Sequence, residues 1–277
     1  MINKLLLCCM ALFSSCAFSQ EYKLLTYNLR YDEPSDGMNA WSNRKNEVTD
    51  LLNYYQPDVF GTQEGLKHQL DFIKSQLNSY TYFGVGRDDG KDAGEHSAIF
   101  YNTTKLKLYK SGNFWLSPTP EKPSKGWDAV LPRLCTYGIF KDKKTKQKFM
   151  VFNAHFDHVG IKARIESVKL IVKKIKELNT GNIPAFFMGD LNLTPDTEPI
   201  KLASTLMHDS RTHSKMKPYG PEGTYNGFHF DRKPKNRIDY IFTTDGIAVK
   251  KYITIDDFKD FKYPSDHLPV MITAVIN

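Results

Sequence analysis

The chain has 277 residues, 40% of them hydrophobic and 25% charged, with a formal net charge of +7 and four cysteines. This apolar content excludes an intrinsically disordered or collagen-like chain, and the cysteine placement excludes a disulfide scaffold: Cys8, Cys9 and Cys16 precede the expected mature start and leave Cys135 alone. The mild basic excess suits an anionic substrate or surface, although many lysines, such as those in 141–148, read as a solvated turn.

Residues 1–19 read as a signal peptide, with Lys4 as a positive start, an apolar core over 5–13 and Ala17-Phe18-Ser19 as a small-x-small cleavage site. That core is too short to span a bilayer. The expectation is a periplasmic or secreted protein with no stable membrane insertion, mature from Gln20. Cys16 offers a second reading as a lipid-modified cysteine, against which Phe13 stands where an aliphatic residue is usual.

Residues 22–29 predict a strand ending in Asn28 and Arg30. Val48, Leu51, Leu52 and Tyr55 fall at i, i+3, i+4 and i+7 of a helix that Pro57 ends. Val59 and Phe60 start a short strand running into Gly61-Thr62-Gln63-Glu64, and Leu66, Leu70, Ile73 and Leu77 mark one face of a second helix. Gly84, Gly86, Gly90 and Gly94 alternate with Arg87, Asp88, Asp89 and Asp92, so a mobile surface loop is expected over 84–94. Gly90-Lys91 lacks the Ser or Thr of a phosphate-cradling loop, and the aspartates lack calcium-hand spacing. Strands follow at 97–101, at Leu106 with Leu108, at 114–116, at 136–140 and at 149–153, the last leading to His155 and Asp157. Cys135 adjoins one of these and reads as packing. A long helix through Val168, Ile171, Val172, Ile175 and Leu178 precedes Pro184-Ala185-Phe186-Phe187-Met188, an apolar run that reads as a strand covered on both faces. It leads to Gly189-Asp190-Leu191-Asn192, where residues two apart share a face. Strands at 238–242, 247–255 and 270–276 close the chain. This is α/β alternation without linker or repeat, a single domain over 20–277 and an expected monomer.

Polar side chains collect at the strand exits: Asn28, Glu64, Asn153 with His155, Asp190 with Asn192, Asp239, and Asp266 with His267. Singly, each has an ordinary explanation, Glu64 as a residue favouring a helix start and Asp266 as a turn cap. So many together point to one shared rim. His155 and His158 have the spacing of zinc-finger ligands, but i and i+3 face opposite sides of a strand and no cysteine pair completes that site. The oxygen donors Glu64 and Asp266, with the amide of Asn28, suit magnesium or manganese. Beside histidines and Asp190, such a cation serves phosphoester hydrolysis. Asp190 would orient or deprotonate water, an imidazole would donate to the phosphate or leaving oxygen, and Asp239 would fix His267, adjacent strands bringing that pair together.

These residues resemble the endonuclease/exonuclease/phosphatase superfamily, which includes DNase I, repair exonucleases, inositol polyphosphate 5-phosphatases and neutral sphingomyelinases. The motifs stand in the family's order as Thr26-Tyr27-Asn28, Gln63-Glu64, Asn153-Ala154-His155, Gly189-Asp190-Leu191-Asn192, Arg237-Ile238-Asp239-Tyr240 and Ser265-Asp266-His267. The resemblance implies an α/β four-layer sandwich of two facing mixed β-sheets flanked by helices, with the site at one end. It also implies Glu64 on the metal with Asn28 and Asp266 nearby, His155 and Asn192 on the phosphate, Asp190 on the nucleophilic water, and Asp239 orienting His267. Arg30 stands where some nucleases of the family carry an aspartate, and Glu95 is a candidate partner for His155. The segments Trp41-Ser42-Asn43-Arg44, Gly94-Glu95-His96-Ser97, Pro123-Ser124-Lys125-Gly126-Trp127-Asp128 and Tyr219-Gly220-Pro221-Glu222-Gly223-Thr224 resemble a secreted bacterial subgroup. His96, Arg133 and Asn153 are the candidate substrate-binding residues.

The expected function is that of a secreted, magnesium- or manganese-dependent phosphodiesterase or phosphatase acting on an anionic phosphoester. A nuclease would carry a basic strip interleaved with aromatics, and a sphingomyelinase-like enzyme an exposed apolar hairpin; neither stands out, which favours a small soluble ester. An inactive phosphate- or partner-binding module is the alternative of another class. Such a module is expected to lose a site carboxylate or histidine, and none is missing.

Overall fold

The computed structural model describes residues 20–277, so the signal-peptide and Cys16 expectations lie outside the described residues. Along the chain, β1 (Glu21–Asn28), β2 (Val59–Gln63), β3 (Tyr80–Phe83) and β4 (Ile99–Asn102) begin one sheet. A second sheet consists of β5 (Leu106–Trp115), β6 (Leu134–Asp142), β7 (Lys148–His155), β8 (Ala185–Asp190), β9 (His208–Asp209) and β10 (Asp239–Thr243). The chain then returns to the first sheet with β11 (Ile247–Thr254) and β12 (Val270–Ile276). The strand orders are β11-β12-β1-β2-β4-β3 and β5-β6-β7-β8-β10-β9. Each sheet is mixed: β1 with β2 and β7 with β8 run parallel, and their outer neighbours run antiparallel.

Helices α1 (Trp41–Tyr55) and α2 (Lys67–Gln76) cover the first sheet, and α3 (Ile161–Leu178) and α4 (Glu198–Leu206) cover the second. The apolar run of β8 shows why this makes four layers. Ala185 and Phe187 pack with Ile171 and Ile175 of α3, whereas Phe186 and Met188 pack between the sheets with Leu24 and Ile272. Both faces are covered, so no polar alternation appears. Cys135 is fully buried in the core against the outer helices, as its apolar setting implied.

The helix spacing locates α1, α2 and α3, and Gln56 ends α1 in a left-handed conformation just before Pro57. Other elements differ from expectation. Strand β5 is continuous rather than two pieces, because a register shift between Leu108 and Lys110 interrupts its alternation. No sequence expectation covers the short β3 and α4, although Ile200, Ala203 and Met207 keep helical spacing along α4 and its C-cap. The 84–94 segment is fastened by polar contacts rather than left a free rim: Arg87 Nη1 pairs with Glu95 at 2.7 Å, Trp115 Nε1 donates to Arg87 O, and Asp89 Oδ1 accepts from the Lys91 and Ala93 N–H groups.

Asn153 is a further correction. It is not a substrate-binding residue but is fully buried between the sheets, donating to Thr62 O and Ala98 O at 2.9 Å and accepting from Gln63 Nε2 at 2.6 Å. Gly61 leaves the room, since a Cβ there would stand 2.6 Å from the Asn153 amide. Asn153→Ala should therefore destabilise the fold by about 3 kcal/mol, as unpaired buried groups cost roughly 1–3 kcal/mol each. Urea unfolding measures this, and parent-like stability would show that water replaces the amide.

Candidate active site

The topology gathers the polar residues. The carboxyl ends of the parallel pairs β1/β2 and β7/β8 lie at one end of the sandwich, where their antiparallel neighbours β12 and β10 begin. Asn28, Glu64, His155 and Asp190 thus leave strands beside Asp239, Asp266 and His267, which precede or begin them. Left-handed backbone at Arg30, Glu64 and Asn192 (φ 55°, 61° and 50°) turns these exits toward a common cleft.

Asp190 is at the centre. Its Oδ2 accepts from Asn28 Nδ2 at 2.9 Å and lies 3.5 Å from His155 Nε2 and 3.7 Å from His267 Nε2, while Oδ1 accepts from the Asn192 N–H. Burial raises its pKa, and the charge of Asp239 raises it further. His267 donates from Nδ1 to Asp239 Oδ2 at 2.9 Å. Burial opposes the charge on His267, yet Asp239 and Asp190 prevail and hold its pKa well above the ordinary imidazole value. The two partners come from different sheets, not from adjacent strands as alternation had suggested. Thr224 makes the junction: its Oγ1 accepts from the Ile238 and Asp239 N–H groups, and its carbonyl accepts from Leu268 N–H.

His155 is the electrostatic opposite. Burial, with Arg133 beside it, pushes its imidazole down to about 3. Asn192 Nδ2 donates to His155 Nε2 at 3.1 Å, so the ring proton sits on Nδ1, 3.6 Å from Glu95 Oε2. Glu95, the candidate partner, stands beside that nitrogen but beyond hydrogen-bond reach, its Oε2 accepting from Arg87 Nη1 instead. Both Asn192 amide hydrogens are engaged, one by His155 and one by Phe156 O, so in this structure Asn192 orients His155.

Glu64 and Asp266 line the cleft with Asp190 and His155. Burial lifts the Asp266 carboxyl to about 6, with His267 opposing and Glu64 adding to the lift. One ligand atom each from Glu64, His155 and Asp190 lies within 4.8 Å of the others. The two carboxylates of that set fit a hard divalent cation; Asp266 lines the same cleft without being part of the set. Asn28 does not fit as a ligand: its Oδ1 accepts from the Arg30 N–H, and its Nδ2, a donor, bridges Glu64 Oε1 and Asp190 Oδ2. It holds the two carboxylates in place instead.

Arg133 lines the cleft as expected, but His96 does not. It is 1% exposed behind Arg87, Glu95 and Arg133, beside a void of about 10 Å³, too small for a substrate group. Arg30 pairs with Asp36 through two hydrogen bonds. Sequence reasoning did not assign His158, Arg164 or Tyr225 to the site, yet all three line the main cleft of about 880 Å³. Tyr225 directly follows the Tyr219-to-Thr224 segment already noted, which was the one signal for it. Arg44, from another noted segment, is buried and donates to Leu29 O and Pro264 O, tying the exit of β1 to the chain before Asp266.

The fold is an α/β sandwich of two facing mixed sheets, and its end carries a carboxylate–imidazole cleft of the kind that suits phosphoester hydrolysis. The chain belongs to the Endonuclease/Exonuclease/phosphatase family, whose match spans residues 25–267. A family protein from Bacteroides thetaiotaomicron is 41% identical with a TM-score of 0.90, over 94% of this chain and 99% of that one. The mannosyl-6-phosphatase of Bacteroides thetaiotaomicron VPI-5482 is 42% identical with a TM-score of 0.89, over 92% and 100%. The human Nocturnin catalytic domain, at 18% identity and TM-score 0.73 over 93% and 95%, shares the fold.

Proposed function

We propose that this chain is a divalent-metal-dependent phosphoesterase acting outside the cytoplasm on a small phosphate ester, with a sugar phosphate as the favoured class. The observation that carries the chemistry is Asp190, a buried carboxylate between two imidazoles of opposite charge preference. The similarity to a mannosyl-6-phosphatase supports the substrate class, and the character of residues 1–19 supports export.

Glu64 and Asp266 would hold magnesium or manganese, which when bound supplies charge neutralisation at a phosphoryl oxygen. Asp190, with its raised pKa, takes a proton from the attacking water. His267, kept protonated by Asp239, donates from Nε2 toward the phosphoryl or leaving oxygen. His155 stays neutral and forms the opposite wall.

A nuclease reading gains one observation: exposed Tyr225 lines both the cleft and an adjoining hollow walled by Arg232, Lys233 and Lys235. The purified protein should be offered mannose 6-phosphate, other sugar phosphates, bis-p-nitrophenyl phosphate, plasmid DNA and sphingomyelin, each with magnesium and with chelator. Magnesium-dependent phosphate release from a sugar phosphate is expected. Faster cleavage of DNA would replace this reading with the nuclease one, and no turnover on any ester would favour a binding module.

A further inference from the structure

Arg133 immediately precedes β6 and lines the cleft while only 5% exposed. Its nearest carboxylates, Glu95 at 3.9 Å from Nη1 and Asp157 at 3.8 Å from Nε, form loose ion pairs with it but lie beyond hydrogen-bond reach. Both are engaged elsewhere: Glu95 by Arg87, and Asp157 by the N–H groups of Val130, Leu131, Val159 and Gly160. Arg133 Nε and Nη1 therefore have no hydrogen-bond partner among the described residues. A buried guanidinium with unsatisfied donors is costly unless an anion completes it.

Its remaining contact prepares a second donor. Arg133 Nη2 lies 3.1 Å from His158 Nδ1, and because a guanidinium has no acceptor, His158 Nδ1 must accept. The His158 ring proton then sits on Nε2, and His158 lines the same cleft. Arg164 joins this wall, its Nε without a partner among the described residues and its other nitrogens donating to the carbonyls of His158, Val159 and Asn192.

We propose that Arg133 and His158 form an anion subsite for the terminal oxygens of a dianionic phosphoryl group, so that the cleft selects phosphomonoesters over phosphodiesters. The proposal rests on the phosphoesterase reading above and adds what sets its specificity. A planar guanidinium matches two phosphoryl oxygens at once. A diester replaces one of them with an alkylated oxygen of lower charge, leaving a buried donor against carbon, and sites reject such a mismatch strongly.

The test measures inorganic phosphate affinity by calorimetry in magnesium buffer, together with kcat/KM on p-nitrophenyl phosphate and bis-p-nitrophenyl phosphate. R133Q should lose about 10- to 100-fold in phosphate affinity and in monoester kcat/KM, the worth of one or two charge-assisted hydrogen bonds, and clearly less in diester kcat/KM. R133K, which keeps charge and length, should lose less and guards against misfolding of R133Q. H158Q, whose amide can replace the Nε2 donor, should keep the phosphate affinity that H158A loses. Parent-like phosphate affinity in R133Q and R133K, or equal losses on both esters, would overturn the proposal. If the parent hydrolyses neither ester, the phosphoesterase reading has failed, and the phosphate titration alone decides the subsite.

Discussion

Asp239→Asn and His267→Ala should each lower kcat by about 10²- to 10⁴-fold, the usual worth of a positioned acid or base. The double variant should be little worse than either alone, because groups that act as a unit are strongly non-additive. The pair is buried, His267 Nδ1 donates to Asp239 Oδ2 at 2.9 Å, and His267 Nε2 is left facing Asp190 and the cleft. Removing the Asp239 carboxylate also removes the largest charge that raises the His267 pKa. The alkaline limb of kcat/KM should accordingly move to lower pH in Asp239→Asn. The same sign governs stability: a histidine whose folded pKa is raised stabilises fully below its unfolded pKa, and that contribution is lost as pH rises through the folded value. Measuring kcat for the parent, both single variants and the double variant at saturating magnesium decides the matter. Losses that multiply would give Asp239 and His267 separate roles.

Chelator should abolish turnover, and magnesium or manganese should restore it. Glu64 and Asp266 face the cleft as oxygen donors; burial raises the pKa of Asp266 most, Glu64 adds a smaller repulsion, and a cation would offset both. Glu64→Gln should keep the fold, since Gln Oε1 can still accept one of the hydrogen bonds that Asn28 and the Tyr31 N–H now make. Its metal affinity should fall by more than the roughly 10- to 100-fold that follows loss of an outer partner. Manganese titration followed by electron paramagnetic resonance reads this without turnover. Parent-like affinity would leave Glu64 a structural residue, and full activity in chelator would remove the metal from the mechanism.

Local pattern determined much of this molecule. The 3.6-residue spacing of Val48, Leu51, Leu52 and Tyr55 and of Val168, Ile171, Val172 and Ile175 places helix faces that bury on a sheet. The unbroken 184–188 run marks a strand with no solvent face. The polar residues at strand ends marked most of the cleft because a parallel strand pair in each sheet brings its carboxyl ends together. What an Asn or His at such an end would do was not legible. Asn28, Asn153 and His96 look the same in one dimension as cleft residues, yet one spans two carboxylates, one joins the sheets and one lies behind the wall. Their partners come from segments distant in sequence, across the sandwich, and a side chain's own neighbours carry no record of which groups will face it. The left-handed turns at Arg30, Glu64 and Asn192 likewise had no glycine to announce them. Only the packing of the two sheets fixes those turns, and with them the meeting of Asp239 from one sheet with His267 from the other.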